Sequence, residues 1–170
     1  YFGCKGGSGT VNHGNMDAGS FIFELNGLRW VTDPGNQNYN DLEKEGFDLW
    51  NRSQGSQRWT LLNKSNFGHS TITVNDQLHV VDGKASIAES MDGDQPQLSF
   101  DLTPTFKDQL KSAKRTFTKD SNVSLIIDDN IEINESTKKI TWQLITTYDV
   151  EITTDGVTIS KPEYSSVLPV

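Results

Sequence analysis

Asn26-Gly27 lies between two apolar-rich runs, Phe21 to Leu25 and Leu28 to Thr32. Both central residues of a type I′ turn need positive φ, and Asn-Gly meets that demand at little cost. The dipeptide therefore predicts a tight hairpin. A hairpin returns the chain to where it began. It predicts that Asp33, at the end of the second run, lies near the polar segment His13 to Asp17 in space.

The same grammar recurs along the chain. Short alternating runs are cut by turn residues: Asn75-Asp76, Asp82-Gly83, Asp128-Asp129 and Asp155-Gly156. Strands are predicted over Arg58 to Leu62, His69 to Val74, Leu78 to Val81, Lys84 to Ser90 and Gln97 to Leu102. They continue over Ser112 to Thr118, Asn122 to Ile127, Asn130 to Ile133, Ile140 to Thr147, Asp149 to Thr153 and Val157 to Lys161. Leu98, Phe100 and Leu102 share one face, as period-two alternation requires. Residues 33 to 57 form a long polar connection, and connections of that length are more often functional than filler. Within it, Asn40 and Glu43 have capping-box spacing for a short helix over Asn40 to Trp50. About twelve short strands with one or two short helices predict an all-β fold, an antiparallel two-sheet β-sandwich. Residues 1–161 form this domain, and residues 162–170, with Pro162 and Pro169, form an irregular tail.

Composition narrows the function. The net charge is −8, without a basic run, which argues against nucleic acid, since phosphate neutralisation needs clustered Lys and Arg. No apolar run is long enough to span a membrane. Cys4 is the only cysteine, which excludes an internal disulfide and a multi-cysteine zinc site. It reads as a small buried or edge residue rather than a reactive thiol. The chain opens on Tyr1-Phe2-Gly3-Cys4-Lys5, which already reads as a strand, so something is expected to precede it.

Chemistry-bearing residues are few. His13 sits in a turn rich in Gly and Asn, His69 opens a predicted strand, and His79 lies inside another as an ordinary strand residue. His13, His69 and Asp33 could bind zinc or transfer protons. They could equally be hydrogen-bonded turn and edge residues. Asp17 before Ala-Gly-Ser can bond its own backbone and fix the turn. Trp30, Tyr39, Trp50 and Trp59 suggest stacking on sugar rings or, alternatively, core and rim aromatics. Arg58-Trp59 sets a cation beside an aromatic. Tyr39, Arg58 and Trp59 are the substrate-binding candidates.

The string His13-Gly14-Asn15-Met16-Asp17-Ala18-Gly19-Ser20-Phe21 resembles the HxHxDAGSF signature of the heparinase II/III-like polysaccharide lyases. Trp30-Val31-Thr32-Asp33-Pro34-Gly35 resembles that family's next segment, an Asp before a Gly-containing turn. Asn66-Phe67-Gly68-His69-Ser70-Thr71-Ile72-Thr73-Val74 resembles its NxxHNTLxV segment. Leu102-Thr103-Pro104 followed by Ala113-Lys114-Arg115 resembles a later strand carrying an Arg. The likeness runs in order over most of residues 1 to about 155.

The resemblance implies a C-terminal β-sandwich that follows an N-terminal helical toroid in the same full-length protein. An acidic, uronate-containing polysaccharide would lie between them and be cleaved by β-elimination. It implies that His13 is catalytic and that the chain without its toroid is inactive. It implies a zinc held by Asn15, Asp33 and His69, although Asn15 stands where the family has His, and an amide is a poorer zinc ligand than imidazole. It also implies a bacterial protein, periplasmic or secreted. The competing reading is a non-catalytic carbohydrate-binding or purely architectural β-sandwich module.

Overall fold

A computed structural model describes residues 1–161 of the chain; the predicted tail, 162–170, lies outside the described residues. The expected all-β architecture is present. Strands β1 (Phe2–Cys4), β2 (Phe21–Leu25) and β3 (Leu28–Val31) form a three-stranded sheet. Helix α1 (Tyr39–Lys44) follows, then β4 (Ile72–Val74). Strands β5 (Ser86–Met91), β6 (Gln97–Asp101), β7 (Leu110–Thr118) and β8 (Ile126–Ile133) form a four-stranded meander. β9 (Ile140–Trp142) returns to pair with β4, and β10 (Asp149–Thr153) pairs with β11 (Gly156–Ser160) as a terminal hairpin. All the pairings are antiparallel.

The Asn26-Gly27 turn forms as its chemistry demands, with φ of 53° and 74°. Phe21 and Val31 from the first sheet share one buried cluster with Phe100, Ala113 and Phe117 from the meander and Ile72 and Val74 of β4. These buried side chains come from both layers, which makes them the centre of the sandwich. Along β7, Ala113, Arg115 and Phe117 alternate inward. A register shift between Leu110 and Ser112 re-phases the strand so that Leu110 also faces in, as a β-bulge does.

Local expectations fail where a side chain has a tertiary partner. Asp128-Asp129 does not break the chain; it lies within β8. Asp129 faces inward and takes both nitrogens of a bidentate Arg115, at 2.7 and 2.8 Å. Such a charge-assisted pair outweighs turn preference. Arg58 to Leu62 is not a strand but a 3₁₀ turn, Gln57–Thr60. Arg58 and Trp59 are adjacent and both buried. A strand would send them to opposite faces, whereas about 120° per residue in a 3₁₀ turn lets both point inward. The segment around Leu78 to Val81 is irregular. His79 N–H donates to Asn66 Oδ1 and Val81 N–H to Gln54 Oε1, so side chains replace the sheet ladder. The helix starts at Tyr39, capped by Asn38 rather than Asn40.

Candidate functional site

The loop before β2 is held by its own backbone. Lys5 N–H donates to Ser20 O and Gly19 N–H to Lys5 O. At Gly14 a Cβ would fall 2.9 Å from the carbonyl oxygens of Ser8, Gly9 and Val11. Only glycine fits there. His13, just before it, takes φ 58°, an uncommon left-handed conformation for a side-chain-bearing residue. This throws the imidazole outward, and His13 is exposed.

Outside the sandwich, that ring meets two aromatics from the long connection. Tyr39 stacks on His13 at 6.0 Å between centroids, with planes 7° apart. Trp50 stands edge-on to both, at 5.6 Å from His13 and 5.4 Å from Tyr39. The Trp50 indole N–H donates to Glu43 Oε1 at 2.6 Å, and the residue is 48% exposed. An exposed Trp edge beside a Tyr is a surface on which a sugar face can stack.

Beneath the cluster lie two buried cations. Arg58 is 1% exposed and donates to Gly14 O at 2.6 Å and Leu49 O at 2.8 Å. Burial presses its guanidinium down from its ordinary pKa. Lys64, also 1% exposed, donates to Asn36 Oδ1 at 2.6 Å and Tyr39 OH at 3.0 Å. Neither has a carboxylate partner among the described residues. Burial alone would raise the Tyr39 phenol. The donated bonds from Lys64 and Asn36, then the Lys64 and Arg58 charges, outweigh it and lower the phenol below its ordinary value.

A second polar group lies at the end of β3. Asp33 Oδ2 is 3.1 Å from His69 Nδ1, and Asp33 Oδ1 accepts Gly35 N–H at 2.8 Å. The His69 bond holds the Asp33 carboxyl below the usual range against the opposing effect of partial burial. Asp33 shares a cleft of about 340 Å³ with Lys5, Asp17 and Ser70. The hairpin thus brings Asp33 beside Asp17 as expected. Asp17, however, uses its carboxylate on Lys5 Nζ at 2.6 Å, and its main-chain carbonyl closes the turn.

The fit to a metal can be tested on these atoms. Two ligands of tetrahedral zinc at about 2.0–2.1 Å lie roughly 3.3 Å apart. The Asp33–His69 separation suits a shared ion as well as a hydrogen bond. Asn15 Oδ1 and His69 Nε2 are buried without partners among the described residues. Among the described residues no three His, Cys, Asp or Glu side chains converge. The third donor that the motif resemblance implies is the Asn15 amide. Asp33 and His69 thus place one carboxylate and one imidazole together, two donors of the kinds a divalent ion takes.

The sequence candidates therefore separate. His13 and Tyr39 come together; Asp33 and His69 come together elsewhere. Arg58 and Trp59 need correction as sugar contacts. Trp59 is 3% exposed, packed with Met16 and Val81, and its indole donates to Ser53 O at 2.9 Å. Arg58 has no free face either; it braces the loops that carry His13 and Trp50. His79 is no ordinary strand residue: it is buried, bonded through Nε2 to Ile72 O, and its pKa is pushed down to about 4 by burial. Cys4 is half-buried and its thiol is pushed up to about 11 by burial, which keeps it protonated at neutral pH. Lys64 and Asn36 were not foreseen, and no motif marks them. Trp50 is one of the aromatics the sequence offered for sugar stacking, and the structure sets it beside His13 and Tyr39.

Comparison with known proteins follows the same outline. The family model described as "Heparinase II/III-like, C-terminal" matches residues 3–165. A crystal structure of a heparan sulfate lyase HepC mutant from Pedobacter heparinus is similar at 20% identity and TM-score 0.61. It aligns with 86% of this chain and 21% of its own. A crystal structure of heparinase III is similar at 19% identity and TM-score 0.58, over 88% of this chain and 21% of its own. The chain thus spans about a fifth of the length of these two structures. No curated protein sequence matches significantly. Among the described residues no helix is long and apolar enough to cross a membrane.

Proposed function

Because the chain belongs to the heparinase II/III-like family, as its C-terminal domain, we propose that it is the β-sandwich part of a lyase that cleaves uronate-containing polysaccharides by β-elimination. The observation that carries this reading is the His13–Tyr39–Trp50 cluster set over two cations that have no carboxylate partner among the described residues.

Elimination removes a proton from the carbon beside the uronate carboxylate. The bond to the leaving oxygen then breaks, that oxygen gains a proton, and an unsaturated uronate remains. Neutralising the carboxylate makes the first step feasible. In this reading Trp50 stacks on a sugar ring. His13 hydrogen-bonds the carboxylate or exchanges a proton, as an imidazole can near neutral pH. Tyr39 stands beside it for proton transfer. The positive charge of Arg58 and Lys64 favours a carboxylate-bearing sugar over a neutral one. This chain forms one wall of the cleft. The facing wall and the remaining catalytic groups belong to a helical toroid elsewhere in the full-length protein, so the chain alone is inactive. Asp33, His69 and the Asn15 amide are the residues that would hold a zinc, whose chemistry here is to pin three loops together. A polymeric substrate is met outside the cytoplasm, which suits a periplasmic or secreted bacterial protein.

The test is a panel of uronate polysaccharides given to the full-length protein, with unsaturated product read by ultraviolet absorbance. His13→Ala should lower kcat by about 100-fold or more while the melting temperature holds. No product from any polymer would sink the lyase reading. An undiminished rate in the variant would remove His13 from the mechanism. The exposed Trp50 face also favours a second reading, a sugar-binding module, for which the isolated chain should bind glycans without turnover.

A further inference from the structure

Lys64 is one of two buried cations beneath the cluster. It is 1% exposed, and an ammonium taken out of water without an anion is unfavourable. Its bonds are to Asn36 Oδ1 at 2.6 Å and Tyr39 OH at 3.0 Å, and its Nζ lies 5.0 Å from the Tyr39 ring centroid. Asn36 Nδ2 donates to the same phenol oxygen at 3.2 Å. The Tyr39 oxygen thus receives two N–H donors, one of them charged. Donors of this kind favour the phenolate over the phenol.

We infer that Lys64 is a positioning residue for Tyr39: with Asn36 it fixes the phenol oxygen beside His13, and its ammonium is the counter-ion of the Tyr39 phenolate. A buried cation with no carboxylate partner among the described residues then has its anion built in, one deprotonation away. The proton leaves to solvent and an ammonium–phenolate pair remains, with no co-reactant needed. The other charged groups around Tyr39 are Arg58 from the 3₁₀ turn, His13 from the preceding loop, and Glu43 on α1. Arg58 acts in the same direction as Lys64. The Glu43 carboxylate is occupied by the Trp50 indole. Lys64 is further tied to the His13 loop through its own carbonyl, which accepts Met16 N–H at 2.8 Å. One residue therefore sets both the place and the charge of the phenol.

The use of that phenolate as the base of an elimination rests on the lyase reading; the pairing itself does not. The test therefore runs on this chain without polysaccharide. The ζ-carbon resonance of Tyr39, identified by its loss in Tyr39→Phe, is followed with pH alongside the Lys64 ammonium nitrogen resonance. Both should report one common midpoint, below that of an ordinary tyrosine. Lys64→Met should raise the Tyr39 midpoint by about one pH unit or more, and Lys64→Arg should restore part of it. Tyr39 titrating like a free tyrosine, or a Lys64 resonance silent through the Tyr39 step, would overturn the inference. Should Lys64→Met fail to fold, the paired titration in the wild-type chain still decides. An inactive full-length protein on every polysaccharide would fail the lyase reading and leave this result standing.

Discussion

Removing the Arg115 side chain is the sharpest test of how the sandwich holds the site. Arg115 is fully buried. It makes two bonds to Asp129, at 2.7 and 2.8 Å, and donates to Gly19 O at 2.7 Å and Ser70 O at 3.4 Å. Gly19 ends the His13 loop and Ser70 follows His69, so this guanidinium ties both polar groups to β7. Arg115→Met keeps most of the stem but strands the Asp129 carboxylate, whose side chain is 14% exposed. Breaking a buried pair from one side costs about 3–5 kcal/mol. A domain of this size has a total stability of roughly 5–15 kcal/mol. The melting temperature should fall by roughly 6–20 °C. In Arg115→Met/Asp129→Leu no charge is stranded, and much of the loss should return. Urea unfolding followed by tryptophan fluorescence measures all three proteins. A loss under about 1 kcal/mol, the scale of a surface ion pair, would refute the reasoning. So would a double variant no more stable than the single one.

Trp59→Ala should cost about 3–5 kcal/mol through the cavity it leaves, whereas Trp50→Ala should leave the melt nearly unchanged and weaken polysaccharide binding; reversed effects in thermal melts and binding titrations would exchange their roles. His79 contributes a pH dependence whose sign follows from its depressed pKa. Its stabilisation is complete above pH 6.5 and is lost as pH falls towards about 4, roughly 3 kcal/mol in all. His79→Leu should flatten that slope in urea midpoints measured across the window, and an unchanged slope would place the acid sensitivity elsewhere. For the metal, elemental analysis should find zinc, His69→Ala should lose it, and a chelator should lower the melting temperature by mass action. Zinc-free protein with an unaltered melt would leave Asp33 and His69 as a hydrogen-bonded pair.

Much of this molecule is local and was therefore readable. Asn26-Gly27 specifies its own turn, because the left-handed φ it needs belongs to those two residues and to no partner. Period-two alternation in Gln97 to Leu102 puts Leu98, Phe100 and Leu102 on one face, and Phe100 and Leu102 are buried there. The all-β class and the approach of Asp33 to Asp17 follow from such signals together. The motif around His13 also indicated the family. What the chain could not show locally was decided by partners distant in sequence. Asp128-Asp129 carries a turn signal, yet Arg115 on the neighbouring strand β7 pulls it into β8. Arg58-Trp59 looks like a sugar-facing pair, yet the carbonyls of Gly14 and Leu49 and the pocket beside Met16 draw both inward. Lys64 carries no signal at all in Asn63-Lys64-Ser65, because its importance lies in the lack of a carboxylate partner among the described residues and in an oxygen supplied by Tyr39 twenty-five residues away. Periodicity reports the side of an element on which a residue lies; only the packed structure determines which charge, carbonyl or ring it meets there.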